Sequence, residues 1–186
     1  MDLAIGTLAL ILSRFVKAPA LRLFLVLVAA FSYFWEGGYA VQAMIHRDGD
    51  LYFTGASFIG EPSLWWRITG GMAGLALFLA AIRLTQTALL KTWTRREVRR
   101  TASVAWLAAA AATTVAALFY GGHFSNNLHD AIMEIGIASL PLLLIPLRAG
   151  KTVETSSDTV TRSPVLIALG VIVFAAFILT LGHGFG

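Results

Sequence analysis

The sequence predicts an all-α integral membrane protein, with about five transmembrane helices and an N-terminal interfacial helix in a single domain, residues 1–186. Hydrophobic residues make up 58% of the 186 residues and charged residues only 13%. A soluble domain carries about 25% charged residues, so this chain has too few polar groups to cover a core. The apolar stretches also approach the roughly 20 residues that a helix needs to cross the hydrocarbon of a bilayer.

Five apolar segments are predicted to cross the membrane: residues 21–45, 65–82, 103–120, 131–147 and 164–181. The stretch before them, MDLAIGTLALIL, is too short for a span and is predicted to form the interfacial or partly inserted helix. Pro141 and Pro146 are expected to bend or break the fourth span, because proline lacks the N–H that a helix interior uses. Residues 91–100, KTWTRREVRR, are expected to extend the second helix beyond the bilayer.

The basic residues predict the direction of the chain. Twelve of the 14 lysines and arginines fall on one side of this threading, and only Arg47 and Arg67 fall on the other. By the positive-inside rule the N-terminus is cytoplasmic and the C-terminus lies outside, as in a protein of the bacterial inner membrane. Topology and anionic lipid explain the net charge of +4, so the expected partner is the bilayer and not nucleic acid.

Two carboxylates are predicted to lie inside spans. Glu36 is about 14 Å below the outer end of its helix, at 1.5 Å per residue, and Glu134 is about one turn into the fourth span. A charge at such a depth costs several kcal/mol and marks either a functional site or an internal polar contact. Glu36 is therefore expected to face protein, with His129 as its candidate partner.

The four histidines are all predicted on the outer side. The segment GGHFSNNLHD, predicted as a loop, contains His123, His129 and Asp130, and the first outer loop adds His46. Imidazole and carboxylate groups are common ligands of zinc, iron and copper, so these four residues are candidate metal ligands. Capping of the fourth helix is an alternative role for the polar residues of this segment, which are Asn126, Asn127 and Asp130.

Glycine pairs predict where helices approach closely. Gly70 and Gly74 form a GxxxG motif in the second span, and the adjacent Gly37 and Gly38 lie in the first. Small residues let two helix backbones pack tightly in lipid, where burial of apolar surface does not drive association. We expect these glycines to contact another helix of this chain or of a partner.

The segment Trp35-Glu36-Gly37-Gly38-Tyr39 is followed by RDGDLYFTGASF and then by the glycine-rich WWRITGGMAGLAL. Across residues 31–77 this order resembles the intramembrane zinc metallopeptidases of the site-2-protease type, which carry HExxH in a membrane helix, often with small residues after the glutamate. In that family the two histidines bind zinc and the glutamate is the general base. Here Trp35 and Tyr39 stand in place of the histidines, so the resemblance implies a degenerate site without zinc, a pseudo-protease.

Three functions remain open from the sequence. The preferred hypothesis is a non-catalytic accessory, assembly or structural subunit of a membrane complex, which needs no cofactor and associates with membrane proteins or with itself. The first alternative is a metal- or haem-binding membrane enzyme or redox subunit that uses the outer histidines and carboxylates. The second is a small transporter that couples protons through Glu36 and Glu134, although no internal repeat of the kind found in common transporters is visible.

Overall fold

The computed structural model describes residues 2–60, 63–119, 123–145 and 164–180, and no β-strand occurs in these ranges. The predicted all-α class is confirmed. The helices are α1 (Asp2–Leu12), α2 (Pro19–His46), α3 (Asp50–Ile59), α4 (Leu64–Leu90), α5 (Arg95–Phe119), α6 (Phe124–Ala131), α7 (Pro141–Leu144) and α8 (Pro164–Thr180). A π-helical segment, Ile132–Ile137, continues α6 without a break.

Three helices, α2, α4 and α5, are long and apolar enough to cross a membrane. They contain the predicted spans 21–45, 65–82 and 103–119, while position 120 lies outside the described residues. The helix α8 covers most of the predicted fifth span and is apolar, but its 17 residues are fewer than the 25 to 28 residues of the three long helices. Three of the five predicted spans are thus present as long apolar helices.

The helix α1 packs antiparallel along the N-terminal half of α2. A Cβ atom placed on Gly6 would lie 2.8 Å from the Cβ of Ser32, so the glycine allows the two helices to touch. The hydroxyl of Tyr33 lies 2.9 Å from that of Thr7, which itself donates to the Leu3 carbonyl at 2.7 Å. At 11 residues α1 is about 16 Å long, half of a bilayer core, and it lies against another helix.

The helices α2 and α4 are antiparallel and carry most of the core. Val26, Phe34 and Leu89 are almost completely buried along this pair. The same cluster continues past the end of α4, where Trp93 and Leu142 join it. The helices α1 and α3 and the π-helical segment all pack against α2.

The junction between α4 and α5 contradicts the expectation that residues 91–100 prolong the second helix. The helix α4 ends at Leu90, and α5 begins at Arg95. The Thr94 N–H donates to the Glu97 carboxylate at 2.9 Å, and the Glu97 N–H donates to the Thr94 hydroxyl at 3.4 Å. This reciprocal pair is a capping box, which starts a new helix and explains why the chain turns here.

The predicted fourth span is a broken helix that begins earlier than expected. Its described part runs from Phe124 to Ile145 and is interrupted by a turn at residues 138–140, directly before Pro141. The Leu140 and Leu142 N–H groups bond to carbonyls three residues back, at 3.1 and 2.9 Å, as in a tight 3₁₀ turn. The expected break at Pro141 is confirmed, whereas Pro146 lies outside the described residues.

Candidate functional site

The closest approach of α2 and α4 occurs at two of the predicted packing glycines. A Cβ atom on Gly74 would lie 2.8 Å from the Cβ of Ala40 and 2.9 Å from the carbonyl oxygen of Gly37. A Cβ atom on Gly37 would lie 3.0 Å from the backbone nitrogen of Phe78. Backbone atoms cannot rotate away as side-chain ends can, so neither position has room for a methyl group without a shift of the helices.

The other two predicted glycines have softer surroundings. A Cβ atom on Gly70 would lie 3.0 Å from the sulfur of Met44, which is part of a flexible side chain. A Cβ atom on Gly38 would lie 3.3 Å from the Cβ of Ala138, at the end of the π-helical segment. Gly38 thus lets the broken fourth helix approach α2 beside the α4 contact.

A cavity of about 320 Å³ lies between α2, α4 and the π-helical segment. The helix α2 lines it with a stripe that includes Trp35, Tyr39, Gln42 and His46, which recur at the spacing of one helix face. These residues extend over about 16 Å of the helix axis, at 1.5 Å per residue. The main side chains from the other two elements are Leu75, Phe78, Met133 and Ile137. The walls are mostly apolar, and the polar groups come from α2.

The two aromatic residues of the WEGGY segment share this cavity. The rings of Trp35 and Tyr39 are stacked, with centroids 5.9 Å apart and planes at 20°. The Tyr39 hydroxyl also accepts a hydrogen bond of 2.7 Å from the backbone N–H of Asp50, the first residue of α3. That N–H has no partner inside its own helix, so Tyr39 ties the start of α3 to α2.

Glu36, one of the two predicted intramembrane carboxylates, is not among the described residues that line this cavity. Glu36 is half-buried on α2 and takes part in a hydrogen-bonding or electrostatic interaction. Its pairing with His129 stays a prediction. Glu134 lies in the π-helical segment, and its side chain is outside the described part of the chain. Of the predicted site residues whose side chains the structure describes, Gly38 and His46 line the cavity.

The candidate metal ligands near the fourth helix do not lie in the loop that the sequence predicts. His129 and Asp130 are exposed residues of α6, so the prediction that they lie in a loop is wrong. His123 occupies the N-cap of α6 without a side-chain capping bond, so the capping role for Asn126, Asn127 and Asp130 is also wrong, because the helix starts before them. Within the described residues, no three histidine or acidic side chains come close enough to hold a metal ion.

Arg67 has a structural role that the sequence did not reveal. Its Nε donates to the carbonyl of Met44 at 2.9 Å, and a terminal nitrogen donates to the carbonyl of Ile45 at 3.5 Å. These carbonyls belong to the last turn of α2, which has no backbone donors for them and carries a partial negative charge. A cation from the first turn of α4 therefore caps the C-terminus of α2.

The π-helical segment is held by a second contact that the sequence did not reveal. The indole N–H of Trp106, on α5, donates to the carbonyl of Gly136 at 2.9 Å. In a π-helix the N–H five residues later would bond this carbonyl, but that residue is Pro141, which has none. Trp106 replaces the missing donor, and so joins α5 to the broken helix.

Comparisons of the chain with models of known families, with curated proteins and with solved structures gave no match.

Proposed function

We propose that this chain is a non-catalytic integral membrane protein of the bacterial inner membrane, acting as an accessory subunit of a larger membrane complex. The observation that carries this proposal is the stacked pair of Trp35 and Tyr39 beside Glu36. In the metallopeptidase motif these two positions supply imidazole nitrogens to zinc. An indole offers only an N–H donor, and the Tyr39 hydroxyl already accepts the Asp50 N–H. The segment is therefore a packing and binding surface in place of a metal site.

The surface of α5 supports the role of subunit. In its most apolar window 11% of the residues are buried, against 33% in α2 and in α4. Its exposed face includes the small residues Ala108 and Ala111, one turn apart. Alanines at this spacing let a second helix approach closely in lipid.

The first experiment tests whether Glu36 is a catalytic base. Cells that lack the chain are complemented with the wild type, with Glu36→Gln, or with Gly74→Leu, which drives α2 and α4 apart. We expect Glu36→Gln to restore the wild-type phenotype of these cells and Gly74→Leu to leave the phenotype of the deletion unchanged. Loss of function with Glu36→Gln, together with zinc-dependent cleavage of a membrane substrate by the wild type, would reject the proposal.

The second experiment tests association through α5. The double change Ala108→Leu with Ala111→Leu should shift the protein in native detergent extracts from a large complex to a smaller species. The matched control is Ala73→Leu with Ala76→Leu, which has the same spacing on the exposed face of α4. An unchanged complex in the α5 variant, or equal loss in both variants, would count against α5 as the interface.

The third experiment tests the orientation that the basic residues predict. The sequence contains no cysteine, so a single introduced cysteine is the one thiol of the protein that a reagent can label. Ser57→Cys lies on α3, and Lys91→Cys lies at the opposite end of the 27-residue α4. An impermeant thiol reagent should label Ser57→Cys from the periplasmic side and Lys91→Cys only after the membrane is opened. Labelling of both from one side would contradict the proposed threading.

A further inference from the structure

We infer that the cavity between α2, α4 and the π-helical segment binds a neutral, lipid-soluble molecule with a single ring that bears carbonyl or hydroxyl oxygens, the chemistry of quinones and related phenols. This site is separate from the association surface on α5, and each can fail without the other. The inference rests on the size of the cavity, on its aromatic wall and on one polar side chain.

The size of the cavity limits its occupant. At about 320 Å³ it is roughly twice the engineered cavity of about 150 Å³ that binds benzene. It therefore holds one substituted ring, while an attached apolar chain must leave through the opening. A whole phospholipid is far too large to fit.

The lining of the cavity selects a neutral ring. Trp35, Tyr39 and Phe78 contribute aromatic rings, which prefer stacked or edge-to-face contact with another ring. Among the described side chains that line the cavity, none is an aspartate, glutamate, lysine or arginine. A charged head group would be desolvated there without a counter-charge, which is costly in a membrane.

Gln42 supplies the polar anchor. It lies on the α2 stripe between Tyr39 and His46, is half-buried, and makes no side-chain hydrogen bond to any described residue. An amide at membrane depth without a partner is unfavourable, because lipid cannot accept or donate hydrogen bonds. The amide N–H₂ is suited to donate to a ring carbonyl or hydroxyl oxygen, with His46 one turn further toward the end of the helix.

Binding is measured with the purified full-length chain in detergent, using a short-chain alkyl benzoquinone as the probe. Quinones quench tryptophan fluorescence on contact, and Trp35 is one of five tryptophans in the chain. We expect saturable quenching in the wild type and loss of the saturable part in Trp35→Phe, which keeps an apolar wall. A single-chain phospholipid at the same concentration should not compete.

Two pairs of variants locate the site. Gln42→Leu should weaken binding about three- to tenfold, the loss of one hydrogen bond, while Gln86→Leu outside the cavity leaves it unchanged. Leu75→Phe places extra volume in the cavity and should weaken binding, while Leu79→Phe, one turn away and outside the cavity, should not. Wild-type affinity in both Gln42→Leu and Leu75→Phe, unsaturable quenching, or displacement by the phospholipid would each overturn the inference.

Discussion

Two antiparallel helix pairs of the described fold, α2 with α4 and α5 with the broken fourth helix, are held together in different ways. The helices α2 and α4 meet at Gly37 and Gly74, where no methyl group fits between the backbones. The helix α5 and the broken fourth helix leave a space of about 190 Å³ between them and are joined by the bond from Trp106 to Gly136. In lipid, helices associate through close packing and through polar contacts. The first, tight pair combines close backbone packing with the Arg67 bonds at one end, whereas the second, loose pair depends on the Trp106 bond. Added volume should therefore destabilise the tight pair and leave the loose pair unaffected.

The largest effect is expected from volume added to the tight pair. Gly74→Ala should lower the free energy of unfolding by about 1–3 kcal/mol, because its methyl group would press on the backbone of α2. The control is Gly136→Ala in the loose pair, where no atom lies within 4 Å of the added Cβ. That change should be neutral or stabilising by up to about 1 kcal/mol, as alanine favours helix over glycine. Denaturant unfolding in micelles measures both, and equal losses would remove the difference between the pairs.

The second effect concerns Arg67, which caps the C-terminus of α2 in the tight pair. Arg67→Met keeps the apolar stem but loses the bonds to the Met44 and Ile45 carbonyls. We expect a loss of about 1.5–2 kcal/mol, typical of a hydrogen bond from a charged group. Arg83→Met, an exposed arginine on the same helix, is the matched control and should change stability by less than about 0.5 kcal/mol. If the two variants have the same melting temperature, the cap contributes nothing.

The third effect tests the polar contact of the loose pair. Trp106→Phe removes the donor to the Gly136 carbonyl and should destabilise by about 1 kcal/mol. In a Pro141→Ala background the new backbone N–H can satisfy that carbonyl, so Trp106→Phe should cost less there. A double-mutant cycle measures this coupling. Additive losses would mean that the indole and the missing proline N–H are unrelated.

The smallest effect is expected at the contact between α1 and α2, where a hydroxyl pair adds to helix packing. Tyr33→Phe removes the hydroxyl that bonds Thr7 on α1 and should destabilise by about 0.5 kcal/mol. Tyr52→Phe on α3 is the control and should be silent. A loss as large as that of Trp106→Phe would show that α1 depends on this hydroxyl pair more than on its packing against α2.

The sequence predicted those features that depend on composition along one segment. Hydropathy located α2, α4 and α5, and Pro141 marked the break in the fourth helix, because both signals are local. The polar segment FSNNLHD predicts a loop, so the predicted fourth span starts at residue 131, whereas its helix begins at Phe124. The helix extends into this segment because the backbone needs its own hydrogen bonds, whatever the polarity of the side chains.

The candidate site was less accessible from the sequence. The WEGGY segment predicts Glu36 as the residue of interest, while the cavity is lined by its neighbours Trp35 and Tyr39 and by Gln42. Which face of α2 is turned toward the fourth helix depends on the crossing of three helices, and no local pattern encodes that. The sequence predicts only a topological role for Arg67, because its acceptors lie 23 and 22 residues earlier in the chain.

The position of Tyr39 links two parts of the protein thermodynamically. Its ring lines the cavity, and its hydroxyl accepts the N–H that begins α3. An occupant that competes for this hydroxyl would weaken the hydrogen bond that holds α3 against α2. By reciprocity, a partner that holds α3 in this position would weaken binding of that occupant by the same factor as the occupant weakens binding of the partner. The position of α3 therefore affects binding in the cavity, and binding in the cavity affects the position of α3.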